Sequence, residues 1–343
     1  MEIDSLTLEE KVGQLFIVGF QGNKVTGKLM HLITYFNVGG IHYTKENVQH
    51  LKQLHKLSTY AQYFAQTKLP LFLAVTQRGG EHHTIDEGLT ISPSQATIAK
   101  ANNRLYTKQI AEVVAKELRS LGINMNFAPV LHGHNAESEN FFGTNIDQVA
   151  KHGIATIKGY HKEDVCAVAT LLPEVSAEQI ETISLHDKTS ELYPFFRAIK
   201  HDVSGIVVPA SLFQTTSTKG YTEKLLQQTL RDRAGYEGLF ITKINLDEAN
   251  ALHTVILAIE AGVDLIEMPT NYEKQITIIS KVLEAVKTGK LKEEMIDRSV
   301  KRILTIKKKY NVGEIAPFDR DAFKRKRAGK LLDRLIERAT VSN

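Results

Sequence analysis

Lys243 follows the apolar run Gly238-Leu239-Phe240-Ile241-Thr242 and precedes Asp247 and Glu248. An amine at the end of a buried strand can be desolvated until it forms a Schiff base with a carbonyl compound; the simpler role is to neutralise the nearby acids. Two other groups, Glu81-His82-His83 and His132-Gly133-His134, fall where a closed sheet would bring its loops together. Imidazoles so placed can ligate zinc or another transition metal, but the spacing matches no ligand signature, and among 13 histidines some pairs arise by chance. Packing within the loops is the expectation, and the residues call for no metal or other cofactor. Glu267 closes another apolar run and is the one carboxylate placed to reach a shared pocket. Alone it lacks the partner that acid/base catalysis requires, so a rim or helix-side charge is its expected role.

These residues sit at the ends of a repeated pattern. Short β-branched runs begin near Gln14, Gly40, Leu71, Asn124, Val165, Gly205, Leu239 and Asp264. Between them lie amphipathic stretches such as 107–121, 146–161, 222–234 and 272–288, with apolar residues at three- and four-residue spacing. That rhythm is the mark of βαβ units around a parallel sheet. Eight units predict a closed (β/α)₈ TIM barrel, with Val75, Phe127, Val168, Val207 and Phe240 in or near its strands. An open doubly wound sheet would carry a glycine-rich turn after its first strand, and Gly19-Phe20-Gln21-Gly22 is not that fingerprint. The barrel is expected over residues 1–310, with a helical extension over 311–343 packed on its outside.

The 343 residues are 42% hydrophobic, enough to bury a large core in one barrel or two ordinary domains. A net charge of +4 argues against nucleic acid as a partner, since only Lys324-Arg325-Lys326-Arg327 forms a basic patch, expected as the solvated face of a helix. Cys166 is the sole cysteine, which excludes an internal disulfide and suits a reducing compartment. No basic and apolar leader opens the chain and no apolar run approaches the ~20 residues of a membrane span, so a cytoplasmic location without membrane association is expected.

Several phrases resemble the N-terminal barrel of glycoside hydrolase family 3, especially its bacterial β-N-acetylglucosaminidases. They run from Leu6-Thr7-Leu8-Glu9-Glu10-Lys11-Val12-Gly13-Gln14-Leu15 through Gly39-Gly40-Ile41 and Gln77 with Gly79-Gly80. The most specific is Leu121-Gly122-Ile123-Asn124 followed by Asn126-Phe127-Ala128-Pro129-Val130. Phe142-Gly143, Pro194-Phe195, Leu230-Arg231 with Gly235-Tyr236-Glu237-Gly238, and Ala261-Gly262-Val263-Asp264-Leu265 follow in the family's order. The resemblance spans nearly the whole chain. It is carried by glycines, prolines and apolar residues, which specify scaffold more than chemistry.

The resemblance implies a retaining mechanism, which needs a carboxylate nucleophile and a proton donor at the mouth of the barrel. Lys243 occupies the position of the family's nucleophilic aspartate. An ammonium cannot form the glycosyl ester and would repel an oxocarbenium-like transition state. The family's acid/base loop, similar to Lys-His-Phe-Pro-Gly-His-Gly-Asp, reads Thr170-Leu171-Leu172-Pro173-Glu174-Val175-Ser176-Ala177. Only the proline remains; Thr170 and Leu171 replace the sugar-binding pair, and Val175 the catalytic histidine. Thr76 and Arg78 replace acids flanking Gln77, His132 replaces an aspartate, and Asn140 an arginine.

These replacements leave no residue assigned as catalytic and predict a protein that has abandoned glycoside hydrolysis. It would act by binding an amino-sugar-like ligand in a remodelled mouth, or a protein partner. The alternative is an active β-N-acetylhexosaminidase-like hydrolase with a rearranged site. Candidate pocket residues are Thr76, Gln77, Arg78, His132, Asn140 and Lys243. Lys243 is expected to point into the former catalytic centre, open to water or paired with Glu81 or Asp247, because an unpaired buried ammonium costs several kcal/mol.

Overall fold

The eight apolar runs become eight parallel strands in a computed structural model that describes residues 3–65, 69–132, 139–214 and 219–323. They are β1 (Phe16–Val18), β2 (Gly40–His42), β3 (Phe72–Val75), β4 (Met125–Asn126), β5 (Cys166–Ala169), β6 (Gly205–Val207), β7 (Leu239–Lys243) and β8 (Leu265–Met268). Each pairs with its sequence neighbour, and β1 pairs with β8, so the sheet closes into the expected barrel. Closure buries every strand on both faces, which is why the strands read as nearly unbroken apolar runs. Alternate residues, including Ile17, Phe72, Met125, Val168, Leu239 and Ile241, turn inward and form one packed cluster.

Helices surround the barrel, and their ends are fixed by short polar side chains. Asn103 Oδ1 accepts from Leu105 N and Tyr106 N ahead of the helix Arg104–Arg119, and Asn145 and Asn271 cap Ile146–Lys162 and Tyr272–Lys287 in the same manner. Gly262, at φ 94°, ends the helix Ala251–Ala261 in the left-handed region that a side chain would disfavour, and so turns the chain into β8.

The helix Glu293–Lys309 starts against the outer cluster, where Lys11 pairs with Glu293 and Asp297, and its last turns lie across the N-terminal end of the barrel. Its Ile303 and Ile306, with Tyr310 and Val312 beyond it, join the inward-facing cluster. Lys307 Nζ donates to Gln14 Oε1 at 2.7 Å, and Arg302 Nη1 lies 3.1 Å from Asp264 Oδ1. The physical reason is the apolar stripe of this helix: Ile296 and Val300 pack into the outer cluster, while Ile303 and Ile306 cover inner side chains that would otherwise meet water at the barrel's floor. Farther on, His55 Nε2 lies 2.8 Å from Ala316 O, so that segment does run along an outer helix. The basic patch Lys324–Arg327 lies outside the described residues.

Candidate functional site

The family-like phrases act as struts for the loops at the barrel mouth. Asp264, just before β8, is fully buried and accepts from Arg231 Nη2 at 2.6 Å and from Phe240 N at 2.8 Å. Arg231 Nη1 also donates to the carbonyls of Tyr236 and Gly238 at 2.7 and 2.6 Å. This charged knot fixes the entry of β7 and therefore the register that carries Lys243 to its far end. On the opposite wall, Asn126 exchanges two hydrogen bonds with the backbone of Gln77, at 2.8 and 2.9 Å. The Gln77 side chain accepts from Thr84 N and Ile85 N, folding the loop after β3 into a small hairpin of Gln77–Gly79 and His82–His83.

Four side chains meet at the mouth. Lys243 and Glu267 are partners in the β7–β8 register, and Lys243 Nζ lies 2.9 Å from the Glu267 carboxylate oxygens. Glu267 Oε1 is also 2.6 Å from His42 Nδ1, and His42 Nε2 is 3.2 Å from Thr76 Oγ1. Phe127 supports the group from below: its ring stacks on His42 with centroids 4.8 Å apart, and Lys243 Nζ sits 4.5 Å from its centroid. Burial works to raise the Glu267 carboxyl pKa, but the charges of His42 and Lys243 and their hydrogen bonds overcome it and hold the group down to about 2. Glu267 is therefore an ionised carboxylate fixed by two donors.

A cavity of about 830 Å³ opens above this network, with Thr76, His42, Lys243 and Glu267 in its walls beside Glu81 and His82. Lys243 ends β7 and borders this cavity, with 43% of its side chain exposed. Its partner is different from the one expected. Asp247 pairs instead with Lys274 at 2.5 Å, and the acid beside Lys243 is Glu267, which is 13% exposed in the mouth and not a rim charge. The strand pleat explains this: register partners on neighbouring parallel strands project to the same side.

The remaining candidates scatter. Gln77 is buried as a hairpin brace, and Arg78 Nε donates to Phe127 O at 2.9 Å while burial lowers its pKa. His132 packs edge-on against Phe141, and neither it nor Asn140 is among the walls of this cavity. Thr170 is buried, Leu171 is 41% exposed, and Pro173 is buried. Val175 borders a separate cavity of about 250 Å³ with Glu174 and Asp187. His83 contacts Gly80 O and Asp86, whereas Gly133 and His134 lie outside the described residues. No group of three or more metal-ligating side chains occurs among the described residues. No helix among them is long and apolar enough to cross a membrane.

The model of the glycosyl hydrolase family 3 N-terminal domain matches residues 7–306, most of the chain. The chain belongs to this family. It is 26% identical over 330 residues to beta-hexosaminidase A of Pseudoalteromonas piscicida, covering 82% of this chain and 55% of that protein. The chain thus spans about half the length of that relative. It is also 26% identical over 283 residues to the beta-hexosaminidase of Nitrosomonas eutropha, covering 74% and 81% of the two chains. A family 3 beta-N-acetylglucosaminidase from Paenibacillus sp. FPU-7 superposes with a TM-score of 0.83 at 28% identity, covering 98% of this chain and 69% of that one. Family 3 membership and a β-hexosaminidase-like fold are therefore established. The mouth of this family 3 barrel nevertheless centres on a lysine–glutamate–histidine network.

His42 escaped sequence reasoning altogether. The available signal was its place directly after Gly39-Gly40-Ile41, at the C-terminal end of a strand where barrels place chemistry. Glu267 carried a stronger signal, as a carboxylate inside the otherwise apolar run Leu265-Ile266-Glu267-Met268.

Proposed function

We propose that this chain is a family 3 pseudoenzyme that does not hydrolyse glycosides and acts by binding, with a small polar ligand of amino-sugar type as the occupant of its mouth. The ion pair between Lys243 and Glu267 carries this reading. At the former nucleophile position it puts a cation, which repels the positive charge that develops at an anomeric carbon. The one acid beside it is engaged by Lys243 and His42, so it is poorly placed to donate a proton to a leaving oxygen. The open cavity with a polar floor supports a ligand, and favours it over a protein partner, which would need a broader surface. The single cysteine, Cys166, buried in β5, supports placing the protein in the cytoplasm.

Calorimetric titration with N-acetylglucosamine tests the binding. Saturable heat is expected, and Gln21→Trp at the exposed cavity rim should weaken it. Saturable heat unaffected by that substitution would place binding elsewhere. Release of nitrophenol from a nitrophenyl N-acetylglucosaminide, abolished by Glu267→Gln, would instead establish the alternative of an active hydrolase with a rearranged site.

A further inference from the structure

The mouth network contains an ordered carboxylate–imidazole–hydroxyl chain that a binding role does not use. Glu267 Oε1 is 2.6 Å from His42 Nδ1, and His42 Nε2 is 3.2 Å from Thr76 Oγ1. We propose that Thr76 is the nucleophile of an acyl-transfer site, with His42 as its general base and Glu267 as the residue that positions the imidazole. The substrate class is a small ester or thioester entering the cavity. This goes beyond the reading of lost glycoside hydrolysis and does not rest on it.

The tautomer follows from the partners. An ionised carboxylate only accepts, so the close Nδ1 carries its proton toward Glu267, and in the neutral ring Nε2 presents its lone pair to the Thr76 hydroxyl. The ring is held flat on Phe127, with an interplanar angle of 6°. Thr76 is held as well: its amide donates to Thr84 Oγ1, and that hydroxyl donates back to Thr76 O, each at 3.2 Å. Both groups stand in the wall of the 830 Å³ cavity, so a substrate can reach them. A hydroxyl, a base beside it and a third group orienting that base are the working parts of nucleophilic acyl transfer.

The step balances without any further reagent. The Thr76 hydroxyl proton passes to His42 Nε2 as Oγ1 bonds to the acyl carbon. The acyl–oxygen or acyl–sulfur bond then breaks, and the leaving alkoxide or thiolate takes that proton from Nε2. Water, deprotonated by the same nitrogen, cleaves the acyl-threonine and restores the hydroxyl.

p-Nitrophenyl acetate is the probe. The protein should release a burst of nitrophenolate stoichiometric with the chain, and peptide mass spectrometry should find the acetyl group on Thr76. Thr76→Val and His42→Gln should each lower the burst rate by ~100-fold or more, whereas Thr76→Ser should keep it. Glu267→Gln, which keeps the size of the side chain and removes its charge, should lower the burst rate constant while leaving the KM for the ester unchanged; a packing role alone would not lower it. Thermal melts show which variants are folded, and Thr76→Val with Thr76→Ser decides the matter if the Glu267 variant is not. Acetylation of Lys243 with Thr76 unlabelled would overturn the proposal. So would nitrophenolate release unchanged in Thr76→Val.

Discussion

Lys243 and Glu267 face one another across neighbouring parallel strands at the mouth of the barrel, Nζ to carboxylate 2.9 Å. The pair does more than bring a cation to the mouth. It ties the adjacent strand's acid into an ion pair and, through that acid, holds His42.

Restoring a carboxylate should therefore fail. Lys243→Asp would set two carboxylates side by side and strip Glu267 of one donor, while the half-exposed site softens the repulsion with solvent. A stability loss of about 1–2 kcal/mol in urea denaturation is expected, with no glycoside hydrolysis. Robust activity from this one substitution would contradict the reading of a dismantled site.

Acid should weaken the fold through Glu267. Its carboxyl is held at about 2 in the folded state against an ordinary 4.5, so its contribution is present above pH 4.5 and is lost as pH falls toward 2. Denaturation midpoints followed from pH 5 down to pH 2.5 should drop less steeply in Glu267→Gln than in the wild type. Parallel curves would show that the pair contributes nothing.

Lys307 makes the opposite end of the barrel sensitive to base. Burial lowers its pKa from 10.5 to about 7, with the Gln14 side-chain amide oxygen and the Phe72 ring beside the amine. The unfolded chain takes up this proton as pH falls below about 10.5, whereas the folded chain resists until about 7. Stability linked to Lys307 should thus be greatest above pH 10.5 and decline toward pH 7. Comparing wild type with Lys307→Met at pH 7 and pH 10 should show the wild type gaining relative to the variant at the higher pH; a constant difference would contradict burial of the amine.

The glycines that carried the family resemblance should prove structural. A Cβ on Gly39 would stand 2.1 Å from the Gln14 carbonyl oxygen, a backbone atom that cannot swing away. Gly39→Ala should lower stability by more than about 2 kcal/mol in chemical denaturation. A neutral effect would mean that the backbone there yields easily.

The barrel was legible because closure buries each strand on both faces, and a buried parallel strand can only read as an apolar run, as Phe72–Val75 and Cys166–Ala169 do. Lys243 was legible for the same reason: the run ahead of it fixed its register and the side on which it leaves the sheet. Its partner was not, because Glu267 lies 24 residues away and meets it only through the β7–β8 register, which no local pattern encodes. His42 belongs to the same class, since it reaches Glu267 across the closing β1 strand. The helix Glu293–Lys309 showed its apolar stripe plainly, but a stripe does not say whether it covers the barrel's wall or its floor.

The central claim is most directly tested by incubating the purified chain with a nitrophenyl N-acetylglucosaminide across pH 5 to 8, beside a family 3 β-hexosaminidase such as that of Nitrosomonas eutropha. Chromophore release at the level of the buffer blank is predicted for the wild type, Lys243→Ala and Lys243→Asp alike. Wild-type turnover that saturates with substrate and disappears in Lys243→Ala or Glu267→Gln would contradict it.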